Sequence, residues 1–284
     1  MTLKYSLPER FLNAETRCGY DIPAEMKQAW AVQLDLLQEL MRVCEAHGIQ
    51  MFVAEGTLLG TIRHQGFIPW DDDIDVVLMR SEYDKLMAVA NDFHDPFFLQ
   101  NVMTDEGYRN RHAQLRMAGT LALAPGEKAG RRFHQGIFID IFVMDAIPNS
   151  PRAFKHHYAA VSSAKLRFKV VSKLMDHLPL SLYRRLRASK YFLSDKQRYR
   201  QYEEVMRSVP MSDRTCVGAM MCQNMSLTTF PLSAYREARM MPFEHIMVPV
   251  PVGYDELLRI EYGDYMTPVK APSLHGTLSF RFSV

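Results

Sequence analysis

The chain has few of the residues that let covalent or metal staples stand in for a core. Only four of its 284 residues are cysteine (Cys18, Cys44, Cys216 and Cys222), and two are tryptophan. No cysteines form a CxxC pair, so neither a disulfide framework nor a common zinc ribbon is indicated, and such sparse thiols fit a reducing cytoplasm. No run of about 18 apolar residues exists to span a bilayer. The opening MTLKYSLPERFLNAE also lacks the apolar stretch of an export signal. A membrane, where one matters, is met at its surface, so the expected location is cytoplasmic or peripheral on the inner face of the cell membrane. Internal repeats and low-complexity tracts are missing too. With 48% hydrophobic and 23% charged residues, disordered and collagen-like chains are excluded, leaving a globular protein with ample apolar material for a core.

The net charge of +2 hides an uneven layout. Residues 151–200 hold 13 Lys or Arg against Asp176 and Asp195, a local charge of +11 that leaves −9 on the rest. That segment is built to meet anions. Within it Val161, Ala164, Phe168, Val171, Met175 and Leu178 recur at steps of three and four among Lys165, Arg167, Lys169 and Lys173. A helix with this stripe either lies on an anionic membrane surface or packs the stripe on the core. Nucleic acid is not expected as a partner, because no nucleic-acid-binding motif accompanies the charge.

Periodicity predicts a helix over 23–47 stopped by Gly48, a strand over 49–55 and a two-turn helix in GTLLGTIRHQG. A loop at FIPWDDD follows, then a strand over 73–79 and a helix capped by Ser81, with Asp84 at the capping-box position. Further strands are expected at 97–100, 112–117, 121–123 and 136–145, followed by a basic helical stretch to Val209, short strands, and a helix from Asp255. The expected fold class is α/β (α+β), a mixed-sheet core with a mostly helical basic insertion. The expected units are an N-terminal extension (1–22), a catalytic core (23–150), the basic insertion (151–232) and a C-terminal segment (233–284) that packs back on the core.

The chemistry concentrates in AEGTLLGTIRHQGFIPWDDDIDV, residues 54–76. Gly56 and Gly60 bracket a turn from strand into helix, where free backbone N–H groups and the Thr57 hydroxyl can hold a phosphate oxygen. Asp73 and Asp75 stand at i, i+2 on a strand and therefore share a face. Two such carboxylates repel one another, and a hard divalent cation such as Mg2+ relieves them. Asp140 lies inside the apolar strand IFIDIFV, where a carboxylate needs a partner or a metal. It either completes a site for one or two metals on a phosphate or pairs with Arg116. Asp71 and Asp72 read equally well as a solvated turn. Arg63 and His64 follow the glycine turn and can bind a diphosphate, with solvation on the helix surface as the alternative. Arg116 can neutralise nucleotide phosphates or pair with an aspartate. Cys216, Cys222, His245 and His275 lack diagnostic zinc spacing and read as buried spectators, and His156 and His157 are expected at the surface.

Three stretches, GTLLGTIRHQGFIPWDDDIDV, GIFIDIFVMDAIP and MPFEHIMVPVPVGYDELLRIEYGDYM, resemble the LicD family of phosphotransferases, relatives of the fukutin proteins, over residues 24–148 and 242–266. The resemblance implies a nucleotidyltransferase-like fold. The implied activity is transfer of a phospho-alcohol, typically phosphocholine, from CDP-choline or another CDP-alcohol donor. The acceptor is a hydroxyl of a cell-surface glycan (lipopolysaccharide, capsule or teichoic acid) or its glycolipid precursor. In that pattern Asp73 and Asp75 bind metal, and Asp140 is the third carboxylate, a metal ligand or the proton acceptor. The implied metal is Mg2+, with Mn2+ as the alternative. Gly56, Thr57, Gly60, Arg63, His64, Trp70 and Arg116 become candidate substrate-binding residues. A choline head group favours aromatic faces, for which Trp70, Tyr108, Phe133 and Tyr254 are candidates, each alternatively ordinary core. Residues 151–209 match the family least, so the acceptor is not transferable. Two enzymatic rivals use the same carboxylates: a nucleotidyltransferase acting on a small hydroxyl compound, and a glycosyltransferase with Asp73-Ile74-Asp75 as its metal motif. Against the glycosyltransferase, the glycine turn lies too close before the aspartates for a Rossmann-like donor domain. Against a non-catalytic polyanion binder stands the coincidence of three strand aspartates with that turn.

Overall fold

A computed structural model of the chain describes residues 3–176, 179–189, 192–219, 228–269 and 278–283. A short hairpin, β1 (Glu15–Arg17) and β2 (Tyr20–Ile22), leads into α1 (Ala24–Ala46). This helix is buried on nearly every side, with Trp30, Leu34, Leu37 and Leu40 fully inaccessible, and Gly48 at φ +59° turns the chain out of it. Next come β3 (Phe52–Val53), α2 (Glu55–His64), β4 (Asp75–Met79) and α3 (Arg80–Ala88). After α3 the chain forms β5 (Phe97–Gln100), β6 (Ala113–Met117), β7 (Leu121–Leu123) and β8 (Phe138–Ala146).

Strand β8 organises the main sheet. It runs parallel to β4 and antiparallel to β6, with β9 (Cys216–Gly218) at its far end. Beyond these, β3 borders β4, β5 borders β6, and β10 (Phe230–Pro231) borders β9, making seven strands. The α/β class expected from the sequence is the one observed: a mixed sheet with helices around it. The strand expected over 49–55 shrinks to two residues, because Ala54 and Glu55 turn into α2. The Ser81 cap is also corrected. Helix α3 already begins at Arg80 without a side-chain cap, and Asp84 pairs with Arg207 instead.

The basic segment folds as α4 (Pro151–Asp176), α5 (Leu180–Arg187) and α6 (Asp195–Met206), the last opened by a Ser194 to Gln197 capping box. Val161, Ala164 and Phe168 are buried, and Phe168 packs its ring on Tyr199 and Tyr202 of α6. The stripe read from the sequence therefore faces the protein, as far as the structure describes it; Leu178 and the Met175 side chain lie outside the described residues. His157, expected at the surface, is buried, whereas His156 is exposed. A buried ion network ties α6 to the sheet: Arg80 donates to Asp145 at 2.7 Å through two nitrogens and to Glu203 at 2.8 Å.

The chain closes with the hairpin β11 (Ala238–Phe243) and β12 (Ile246–Pro251), α7 (Tyr254–Tyr262) and β13 (Ser279–Arg281) against β7. At the hairpin turn Glu244 accepts from Arg17 at 2.6 Å and from the Phe67 N–H at 3.0 Å. One apolar core joins Ile22, Phe67, Ile141, Phe168, Val250 and Phe280, so the basic helices and the C-terminal segment share it with the sheet. Among the described residues no helix is long and apolar enough to cross a membrane.

Candidate active site

The register of β4 and β8 builds the centre. Asp75 and Asp140 are paired partners on the parallel strands, which places both side chains on one face of the sheet. The strand expected over 73–79 begins only at Asp75, so Asp73 lies in the loop before β4; even so, Asp73, Asp75 and Asp140 each bring a carboxylate oxygen within 4.8 Å of the others. Asp71, Asp72 and Asp73 form a second such group. The solvated-turn reading of Asp71 and Asp72 does not hold. Asp72 is buried and accepts from the Leu278 N–H at 2.9 Å. Helix α1 fastens the loop backbone, with Trp30 Nε1 donating to the Asp71 carbonyl at 3.0 Å and Gln33 to the Asp72 carbonyl at 2.7 Å.

The carboxylates differ in charge tendency. Burial, and then the charges of Asp73, Asp140, Glu55 and Asp71, push the Asp75 carboxyl well above its ordinary range. Burial and Asp73 do the same to Asp71. Burial also works against an ionised Asp140, but His112, Gln114 and Arg116 outweigh it and hold the carboxyl low. His112 Nε2 lies 3.1 Å and Gln114 Nε2 2.6 Å from Asp140 Oδ1.

The structure gives the glycines a concrete task. A Cβ on Gly56 would stand 2.5 Å from Asp71 Oδ2, and one on Gly60 would stand 2.5 Å from the Gly66 carbonyl oxygen. Both residues let α2 press against the aspartate loop. The Thr57 hydroxyl is buried and accepts from the Asp75 N–H at 2.9 Å, so it anchors the start of β4. Arg63 donates to the Tyr265 carbonyl at 2.8 Å. His64, depressed to about 4 by burial and by the charges of Arg63 and Arg17, is neutral at physiological pH.

Arg116 pairs directly with neither aspartate nor solvent. It is buried, donating to Gln100, Gln114 and the Gly136 carbonyl, with its guanidinium over the Phe138 ring. Its geometry corrects the direct Asp140 pairing: Gln114 stands between the two. Of the four aromatic residues named as a cage, Tyr108 and Phe133 pack edge-on to each other and Trp70 packs edge-on to Tyr20. Tyr108 is buried, with its hydroxyl on the His112 carbonyl. Of the four candidate zinc ligands, Cys216 sits in β9 and His245 packs edge-on to Phe11, while Cys222 and His275 lie outside the described residues.

Sequence reading missed four side chains. His112 and Gln114 flank Asp140 from β6 and its approach, and only the β6 to β8 register reveals them. Glu55, at φ +47° on the first turn of α2, hydrogen-bonds to Glu261 of α7. Burial and that partner carry the Glu261 carboxyl up to about 10, so the pair shares a proton at neutral pH. No local pattern signals a contact between residues so distant in the chain.

Comparison with known proteins gives a family match in this region. Residues 48–145 match the family model described as LicD/FKTN/FKRP, nucleotidyltransferase domain. The chain is 28% identical over 250 residues to the lipopolysaccharide cholinephosphotransferase LicD of Haemophilus influenzae, covering 85% of this chain and 91% of that protein. A shorter match, 34% identical over 58 residues, spans 20% of this chain and 22% of an uncharacterized protein of Rickettsia prowazekii. Asp71, Asp72, Asp73, Asp75, Asp140, both glycines, His112 and Gln114 all fall inside 48–145, the stretch that matches the LicD/FKTN/FKRP nucleotidyltransferase domain.

Proposed function

We propose that the protein transfers phosphocholine, or a closely related phospho-alcohol, from a CDP-linked donor to a hydroxyl of a lipopolysaccharide-type glycan or its lipid-linked precursor. The observation that carries the reading is the Asp73, Asp75 and Asp140 cluster inside a domain related to a cholinephosphotransferase. Three carboxylate oxygens within 4.8 Å of one another make a hard, oxygen-only donor set, and burial, followed by the charges of neighbouring carboxylates, raises Asp75, a repulsion that a divalent cation relieves. These residues fit Mg2+, or Mn2+ in its place. Such an ion, when bound, supplies charge neutralisation at the transferring phosphoryl group.

The chain's own groups do the rest. Asp140, kept ionised by His112 and Gln114, is placed to accept the proton of the attacking hydroxyl or to complete the ligand set. The hydroxyl oxygen bonds to the phosphorus that bears choline, the bond to the bridging oxygen breaks, and CMP leaves with that oxygen. Thr57 holds Asp75 in place through its backbone, and Arg63 and neutral His64 at the end of α2 offer donors to the donor's diphosphate. On this reading the protein acts in the cytoplasm or at the inner face of the cell membrane.

The test is mass analysis of products formed from CDP-choline, CDP-ribitol, CDP-glycerol and sugar nucleotides with cell-envelope extract. CMP release with a phosphocholine-modified glycan is the expected result. Pyrophosphate release from a nucleoside triphosphate, or glycosyl transfer from a sugar nucleotide, would replace this reading with the corresponding rival.

A further inference from the structure

Helix α4 has a second apolar stripe that periodicity alone did not separate from the first. Val161, Ala164 and Phe168 face inward, but Leu166, Val170 and Leu174, each four residues from the next, are 62%, 50% and 56% exposed. At 100° per residue this second row lies on the side of α4 away from the buried one. Arg167, Lys169 and Lys173 are exposed beside it. Helix α5 repeats the arrangement with exposed Leu182 and Leu186, again four apart, and exposed Arg184 and Arg185. A single exposed leucine needs no explanation, whereas five aliphatic side chains on consecutive helices do.

Charge identifies what covers them. Residues 151–189 contain nine Lys or Arg and one acid, Asp176, a balance that repels a second copy of the same surface and attracts an anionic one. Rows of leucine and valine edged by lysine and arginine match the interface of an anionic bilayer, where apolar side chains enter the acyl boundary and cations meet lipid phosphates. We infer that the exposed face of α4 and α5 docks this protein on an anionic phospholipid membrane. The inference deepens the proposed function, since it rests on the reading that the acceptor is lipid-linked to explain why docking serves catalysis.

The fold connects this face with the carboxylates. Phe168, on the opposite side of α4 from Val170, packs on Tyr199, and the Tyr199 hydroxyl donates to the Arg111 carbonyl at 3.3 Å. The next residue, His112, stands against Asp140. A docked α4 therefore sets the orientation of the layer that borders the candidate active site.

The experiment is co-sedimentation of the full chain with vesicles of phosphatidylcholine alone or mixed equally with phosphatidylglycerol, at low and high salt. Binding is expected only with the anionic vesicles and weakens with salt. The combined substitutions Leu166→Gln, Val170→Gln and Leu174→Gln should abolish binding with an unchanged thermal midpoint. Each of Arg167→Gln, Lys169→Gln and Lys173→Gln should weaken it about fivefold. Equal binding to neutral vesicles, no binding to either, or variants that bind like the parent would overturn the inference. So would a dimer that the leucine variant dissociates while vesicles are ignored. Transfer to a delipidated acceptor, assayed separately, keeps the two readings apart: transfer without vesicle binding sinks docking alone, and vesicle binding without transfer sinks the transferase reading alone.

Discussion

Asp75 and Asp140 sit in register on adjacent parallel strands, yet their surroundings drive their carboxyls in opposite directions. Burial and four neighbouring carboxylates raise Asp75, while His112, Gln114 and Arg116 lower Asp140 despite its burial. Two acids on one sheet face thus hold protons differently, the usual basis for dividing roles in a site.

Loss of charge at Asp73 or Asp75 should disable chemistry without harming the fold. Asp73→Asn and Asp75→Asn are each expected to lower turnover roughly 10³-fold or more, the rate equivalent of losing several kcal/mol of charge stabilisation. The metal-free thermal midpoint should stay level or rise, because each change removes repulsion. Near parental turnover with Mg2+ present would refute the metal assignment.

Asp140→Asn is expected to suppress transfer far more than donor binding. Calorimetry with CDP-choline should still register the donor while product formation fails, the pattern of a group needed mainly at the transition state. A variant that turns over normally, or that no longer folds, would contradict that role.

The Glu55 and Glu261 pair makes stability depend on pH. The folded Glu261 carboxyl keeps its proton up to about 10, against an ordinary value of 4.5, so the native state holds a proton that the unfolded chain has already released. Stability is therefore full below the ordinary value and declines as pH rises between the two. In EDTA, thermal midpoints measured across that range should fall for the parent and flatten for Glu261→Gln; parallel curves would exclude the shared proton.

Gly56 and Gly60 should respond differently to alanine. At Gly60 the new Cβ meets the Gly66 carbonyl, a backbone atom with little room to yield, and a cost of about 1–3 kcal/mol in urea denaturation is expected. At Gly56 it meets the Asp71 carboxylate, which can rotate away. Gly56→Ala should therefore cost less stability than Gly60→Ala and act on activity through displaced Asp71. The reverse order of stabilities would contradict this account.

Arg80→Met strands Asp145, 1% exposed, and Glu203 without their shared cation. The expected cost is about 3–5 kcal/mol. Asp84→Ala breaks only a partly exposed pair with Arg207 and should cost less than about 1 kcal/mol. Equal losses in denaturant titrations would show that the buried network does not link α6 to the sheet.

Local pattern alone determined much of this protein. The long α1, the glycine-bounded α2, β5, β7 and the apolar β8 follow from periodicity and breakers, because the neighbours that set them lie within a few residues. The i, i+2 spacing of Asp73 and Asp75 is equally local, but the strand begins only at Asp75, so it is the loop ahead of β4 that carries Asp73 to within reach of Asp75 and Asp140. What lies opposite each residue is not local. The pairing of β4 with β8 brought Asp140 to Asp75, β6 brought Gln114 to Asp140, and the return of α7 brought Glu261 to Glu55. On α4 the sequence carried two apolar rows with the helical repeat, and only packing against Tyr199 and Tyr202 decided that Phe168 turned inward and left Leu166, Val170 and Leu174 outside. A helix specifies which residues share a face; which face is buried depends on the surface that meets it.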